Sequence, residues 1–283
     1  MKLSALSLGF VVTTLVLGFS TKVDAQGRAK LSIQHDRANK RVIISWDGAG
    51  NELGQRRGAG ARYERTSRIS GPVSVDTTAE QMSFALLSTA ADSVVSENVV
   101  GYVNVDLPWG MSLIGNPLLQ TNMTLGYLFP TAPDGAQVLV LVGNDYDSSV
   151  FSAATMSWSK PWFELALGRG FFFVNPSRTA FTQTFVGEVL TGSLTNPLPA
   201  GVSLKASLIP QAGSINTLHN IPGQPGDNLF TYFSDAEARG RYIRSTFTAT
   251  NAWVPDQDLG VAKGFWIQKK QAQDWVRFFS VFP

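Results

Sequence analysis

The sequence predicts an all-β protein: two tandem antiparallel β modules preceded by a small sandwich-like β region. Three observations carry this. Apolar residues recur in short alternating or β-branched runs, such as Arg41–Trp46, Gln81–Leu87, Asn98–Val105, Gln137–Val142 and Gly170–Val174. A helical period is nearly absent beyond the first 25 residues, and 26 glycines and 14 prolines fall mostly between the runs, where turns are needed. Segments of the second half of the chain also echo the first at a nearly constant offset.

Residues 1–25 are set apart. Lys2 gives a positive start, Leu6 to Phe19 is an apolar run, and Val23-Asp24-Ala25 places small or aliphatic residues at −3 and −1 of a cleavage site. This is the pattern of a secretory signal peptide, with the mature chain starting at Gln26. Retention as a membrane anchor is the competing reading, against which the run is short for a span of ~20 residues. The expected location is outside the cell or in its envelope, with no membrane span after signal cleavage. The chain has no cysteine, so disulfides, thiol catalysis and cysteine-ligated zinc are excluded. A charged fraction of 16 % and a net charge of +2 describe no polyelectrolyte, so nucleic acid is not an expected partner.

Residues 26–98 form the sandwich-like region. Ser32–Trp46 reads as a hairpin turning at Asp36–Lys40, with Trp46 pointing into a core, as in the opening strands of immunoglobulin- or fibronectin-like sandwiches. Gly50–Arg68 is rich in Gly and Arg and reads as unpacked. Its arginines Arg56, Arg57, Arg62, Arg65 and Arg68 read as a solvated loop or hairpin face, with a polyanion site as the competing reading. Gly71–Ser74 and Met82–Leu87 supply later strands.

Residues 99–185 and 186–283 are the two modules. PWGMSLI at 108–114 matches PAGVSLK at 199–205, offset by 91, and Phe129-Pro130 matches Ile221-Pro222. Trp158 matches Trp253, LGRGFFFV at 167–174 matches VAKGFWIQ at 261–268, Phe181 meets Trp275, and Phe185 meets Phe279. The comparison decides how Gly168-Arg169-Gly170 is read. A phosphate loop needs several glycines and a helix N-terminus beyond them. Here Gly168 becomes Ala262, only Gly170 persists as Gly264, and an aromatic run follows. The glycines therefore open a strand. Phe171 and Phe173 face one side of it and Phe172 the other, so the strand is covered on both faces or keeps one sticky face.

The order VGYVNVDLPWGMSLIGNPL, then LFP and Asp134-Gly135, then LGRGFFFVNP, resembles a repeat found in secreted proteins of environmental Gram-negative bacteria. There, a Gly-aromatic-x-Leu-Ile-Gly/Ala-Asn-Pro strand precedes a Pro-Gly-x-Gly-Phe-Phe-Val strand. The resemblance covers 99–283. It departs in the second copy, where Asn116-Pro117 becomes Ser207-Leu208 and Phe172 becomes Trp266. It implies an exported β fold and assigns no activity.

Catalytic patterns are weak. The two histidines, His35 and His219, lie in predicted turns far apart, and no Gly-x-Ser-x-Gly elbow is present. Asp145 and Asp147, and likewise Asp256 and Asp258, are spaced to share one face of a strand, which suits calcium, although the first pair also has the composition of a hairpin turn. Tryptophan is the remaining signal, because exposed indoles stack on the apolar faces of sugars. Trp158/Trp253 and Phe181/Trp275 match between copies and suit core positions. Trp109 and Trp162, with Trp266, are the candidate ligand-binding residues, and Asp145 with Asp147 the candidate metal pair. The expected function is that of a non-enzymatic structural or adhesive protein, with an extracellular protein or polysaccharide as partner and no cofactor. The alternative is a carbohydrate-binding module protein.

Overall fold

The computed structural model describes residues 28–47, 51–58, 62–66, 71–88, 93–235 and 237–280. The expected signal peptide lies outside them. The protein is all-β, its described helix being the single turn Leu125–Leu128.

The expected hairpin forms, with Ser32–Asp36 antiparallel to Arg41–Ser45 and Val73–Asp76 on the far side of the latter. This three-stranded sheet covers one face of a five-stranded sheet. The larger sheet runs in the order Phe181–Glu188, Val100–Leu107, Gln81–Ser88, Asn51–Arg57, Glu64–Arg65. Leu31, Val42, Ile44 and Trp46 pack there on Leu53, Phe84, Leu86 and Tyr102. One sheet thus spans the expected boundary at 98/99, and Phe181–Glu188 runs through the one at 185/186.

The Gly/Arg-rich segment corrects an expectation. Asn51–Arg57 is a packed strand, paired with Gln81–Ser88 along its whole length. Leu53 is buried, and a Cβ on Gly54 would stand 2.7 Å from Leu87 Cδ1, so the glycine is what lets the leucine close in. Arg56 is buried with its guanidinium 5.0 Å from the Tyr63 ring centre, and Arg65 bonds Glu52 at 2.6 Å. Arg57 and Arg62 are exposed as expected, while Arg68 lies outside the described residues.

The rest of the chain builds two further five-stranded sheets. The first runs in the order Ser157–Trp158, Asp145–Ser152, Gln137–Val142, Phe171–Asn175, Gly110–Ile114. The second runs Trp253–Val254, Gly240–Phe247, Asn228–Ser234, Gly264–Lys269, Gly201–Ala206. Numbered along their own halves, the two strand orders are the same. Each half also has a strand pair outside its sheet: Val100–Leu107 with Phe181–Glu188, and Gly192–Leu198 with Gln273–Phe279. Matched side chains do matched work. Trp158 Nε1 donates to Phe129 O at 2.6 Å, and Trp253 Nε1 to Ile221 O at 2.8 Å. Phe151 packs edge-on to Trp158 at 5.3 Å, and Phe247 to Trp253 at 5.2 Å. These indoles are core residues.

The halves clasp each other reciprocally. Gly115 N donates to Ala262 O at 2.9 Å, and Ala206 N to Gly168 O at 3.0 Å. Arg169 bridges to Lys205, and Ile114 to Lys263. This is what the Gly-x-Gly does. Gly168 and Ala262 both take positive φ, 75° and 58°. A Cβ on Gly170 would meet Lys205 O at 2.8 Å, so the missing side chain lets two backbones approach rather than a phosphate. The phenylalanine strand is covered on both faces. Phe171 and Phe173 lie in the first half's core, while Phe172 packs between the halves with Leu113 and Leu204.

Candidate ligand-binding surfaces

The six tryptophans of residues 99–283 separate into three environments. Trp158, Trp253 and Trp275 are buried. Trp109 is half-buried at the Pro108-Trp109-Gly110 corner between two sheets, with the Arg178 guanidinium 4.3 Å from its ring centre, so the chain itself occupies that face. Trp266 is half-buried at the seam, where Tyr146 meets it edge-on at 6.2 Å. Trp162 stands free, 66 % exposed.

Trp162 is held out by its backbone. Leu125 N donates to Phe163 O and Gly126 N to Pro161 O, at 2.7 and 2.8 Å, tying the helical turn to the 161–163 segment. A Cβ on Gly126 would stand 2.9 Å from Pro161 Cβ, so the two segments are in close contact. Beside them lies an open groove of about 390 Å³, lined by Asn122, Thr124, Tyr127, Pro130, Met156 and Pro161. Tyr127 and Met156 are 50 % and 59 % exposed. Sequence reasoning found Trp162 and missed these two, whose apolar character lies in turns and follows no period.

The acidic pairs do not converge. Asp145 and Asp147 lie in a strand beyond a two-residue Gly143-Asn144 turn, not in the turn itself. Asp147 accepts an ion-paired hydrogen bond from Lys160, which holds its carboxyl below the usual range. Asp256 accepts from Ser214 Oγ at 2.7 Å and so closes a loop. Among the described residues no three His, Asp or Glu side chains gather as around a metal ion.

The histidines are also apart. His35 lies within the strand Ser32–Asp36 rather than in the turn expected for it. His219 is fully buried, with Arg277 Nη1 3.3 Å from Nδ1 and its ring edge-on to Trp275 at 6.2 Å. Burial first, and then the Arg277 charge, push its pKa down to about 4. Between pH 6.5 and 4 the unfolded chain takes up a proton that the folded one refuses, so stability falls as pH falls through this window, by roughly 3 kcal/mol. Urea unfolding at pH 7 and pH 4.5 is expected to show the loss, and His219→Gln to remove only part of it, because burial, and then Arg37, push His35 down to about 4 as well.

The seam holds an aromatic chain that sequence reasoning did not assemble. Tyr242, Tyr232, Phe172, Tyr146 and Trp266 follow one another at centroid distances of 5.1, 5.5, 5.8 and 6.2 Å. Burial, and then the neighbouring Tyr242, push the Tyr146 phenol up to about 12. The signal was present as period-2 alternation in NLFTYFS and GRYIRSTF.

No protein-family model, no curated protein and no solved structure matches the chain. Function is therefore argued from these surfaces alone.

Proposed function

We propose that this is an exported, non-enzymatic protein with a structural or adhesive role at the cell envelope or in the extracellular space, built from two tandem copies of one β module. The shared strand order, the matched indole hydrogen bonds and the reciprocal backbone clasp support the duplication. The observation that carries the adhesive reading is the exposed apolar surface on this interlocked scaffold: Tyr127 and Met156 line one groove, and Trp162, 66 % exposed, follows the groove residue Pro161, with no core role to explain them. Export rests on the residue pattern of 1–25. The partner is an extracellular protein or a polysaccharide.

The groove favours carbohydrate binding as the second reading. An indole and a phenol present apolar faces for sugar rings, while Asn122, Thr124 and Ser157 supply hydrogen-bonding groups at its edge. The test is retention of the exported chain on insoluble and soluble polysaccharides and on envelope protein, read also by tryptophan fluorescence. Trp162→Ala is expected to abolish retention and the fluorescence change while leaving the melting temperature unaltered, because the side chain is exposed. Full retention by that variant would remove the groove from the account.

A further inference from the structure

The strand pairs that lie outside the two halves' own sheets are covered unequally. In the first half, Val100–Leu107 and Phe181–Glu188 are covered twice. Residues 81–84 pair with residues 100–103 and so join the ribbon to a five-stranded sheet. The three-stranded sheet then lies on the ribbon's outer face, where Leu31, Val42, Ile44 and Trp46 bury Val100 and Tyr102, with Val186 packed against the same cluster. In the second half, Gly192–Leu198 and Gln273–Phe279 stand as a two-stranded sheet, and among the described residues no further strand joins it.

The inner face of this second ribbon is buried as its counterpart is. Leu198 and Trp275 lie in the second half's core, and Phe279 lies in the larger cluster. Alternation turns Ser193, Thr195, Val276 and Phe278 to the outer face. Val276 is 52 % exposed and Phe278 78 %, the highest among the large apolar side chains described. At the offset of 91, Gly192 and Leu198 match Gly101 and Leu107, so Ser193 stands where Tyr102 does. Tyr102 is buried under the three-stranded sheet, whereas Ser193 is small and exposed. The strand Gly192–Leu198 carries no charge, and so lacks the lysines that commonly guard a free edge.

This outer face is complementary to itself. The register sets large against small: Phe278 opposite Ser193, and Val276 opposite Thr195, with Asp274 opposite Pro197 at the end. Consider a two-fold axis parallel to the strands, midway between two such faces. It lays the large strand of one copy over the small strand of the other, at the same level. Phe278 of each copy then covers Ser193 of the other, Val276 covers Thr195, and Asp274 meets Pro197 rather than a second carboxylate. Such an isologous contact closes at two copies. The N-terminal region of another copy fits the position less well. Each chain has one such region and two ribbons, so lending it out bares one ribbon for every ribbon it covers. Strands of seven residues make a face ~24 Å long and two strands wide, at the small end of specific interfaces, so the contact is a weak one.

We propose that this ribbon is a self-association surface, on which a second copy of the chain docks face to face through Phe278 and Val276. The inference rests on the correspondence between the two halves. It goes beyond the adhesive reading, because a dimer presents two grooves and gains avidity without new contacts.

The experiment is sedimentation equilibrium of the exported chain over the micromolar range. The expected result is a concentration-dependent dimer. Phe278→Ser is expected to weaken association about tenfold or more, as for loss of an interface anchor, and Ser193→Tyr to weaken it by filling the notch that receives the ring. Both positions are exposed, so both variants are expected to keep the parent melting temperature. Trp162→Ala is expected to dimerise as the parent does. A chain that stays monomeric throughout the range would overturn the inference, as would a dimer that both ribbon variants leave unchanged. A dimer lost in Trp162→Ala but kept in Phe278→Ser would also overturn it and place the self-contact beside the groove. A monomer that still binds polysaccharide or envelope protein would overturn this inference alone. A dimer sensitive to Phe278→Ser that binds neither would support it and remove the adhesive reading.

Discussion

Replacing Lys269 by methionine is expected to destabilise the protein by about 3–5 kcal/mol, the usual cost of removing one partner of a buried ion pair. Lys269 and Asp227 are both fully buried, with Nζ and Oδ2 2.5 Å apart. Each is saturated. Nζ also donates to Pro222 O and Gln273 Oε1, at 3.1 and 2.8 Å. The Asp227 oxygens also accept from the backbone N–H groups of Gln224 and Lys270, each at 2.8 Å. Burial alone would raise the Asp227 pKa, but the Lys269 ammonium and these N–H groups outweigh it and hold the carboxyl below its usual range. Removing the lysine leaves an anion in a site closed to water. The corresponding position in the first half is Asn175, whose Nδ2 donates to Leu107 O and Thr179 O, both at 3.0 Å. A neutral hub thus does the same structural work there. Chemical denaturation of Lys269→Met should show the full loss, and a double variant that also replaces Asp227 by Leu should recover part of it.

The second large effect is expected at the seam. Phe172→Ala should cost about 3–5 kcal/mol, the range for truncating a buried phenylalanine. Phe172 is 1 % exposed and touches Tyr146 and Tyr232 edge-on at 5.8 and 5.5 Å. Phe171 and Phe173, its neighbours, lie in a larger cluster that also takes in Ala85, Val99, Ile209, Ala262 and Phe279, so their loss should lower the stability of these parts together. Loss of Phe172 should weaken the coupling between halves. Calorimetry is expected to show a broadened or split transition for Phe172→Ala and a single lowered one for Phe173→Ala. Tyr146→Ala, at the exposed margin of the same seam, should have a smaller effect, since 44 % of the tyrosine is already in water.

What the sequence made legible was governed by local chemistry. The strands Arg41–Ser45, Gln81–Ser88, Val100–Leu107 and Gln137–Val142 declared themselves through apolar alternation. Trp158 and Trp253 could be read as core because they recur, and recurrence at one offset is what a shared packing site produces. Asn51–Arg57 escaped because its inward positions are Leu53, Gly54 and Arg56. A glycine that admits Leu87 and an arginine stacked on Tyr63 both look like loop residues until the partner strand is in place. The ion pair escaped for a related reason, since Asp227 and Lys269 are 42 positions apart, and Lys269 stands beside Lys270 in a Lys-Lys pair that reads as a solvated strand end. At the candidate sites, Trp162 and Trp266 were visible as single residues. Their surroundings were not, because a groove formed by two turns and a seam formed between two sheets exist only after folding.

The most direct test of the central claim is to follow the full chain in a secreting bacterial host by fractionation, N-terminal sequencing and envelope binding. The expected product begins at Gln26, is recovered outside the cytoplasm and is retained on envelope or matrix material, with retention reduced by Trp162→Ala. A full-length product that keeps Met1 and remains in the cytoplasm, or an exported product that binds neither envelope nor matrix, would contradict it.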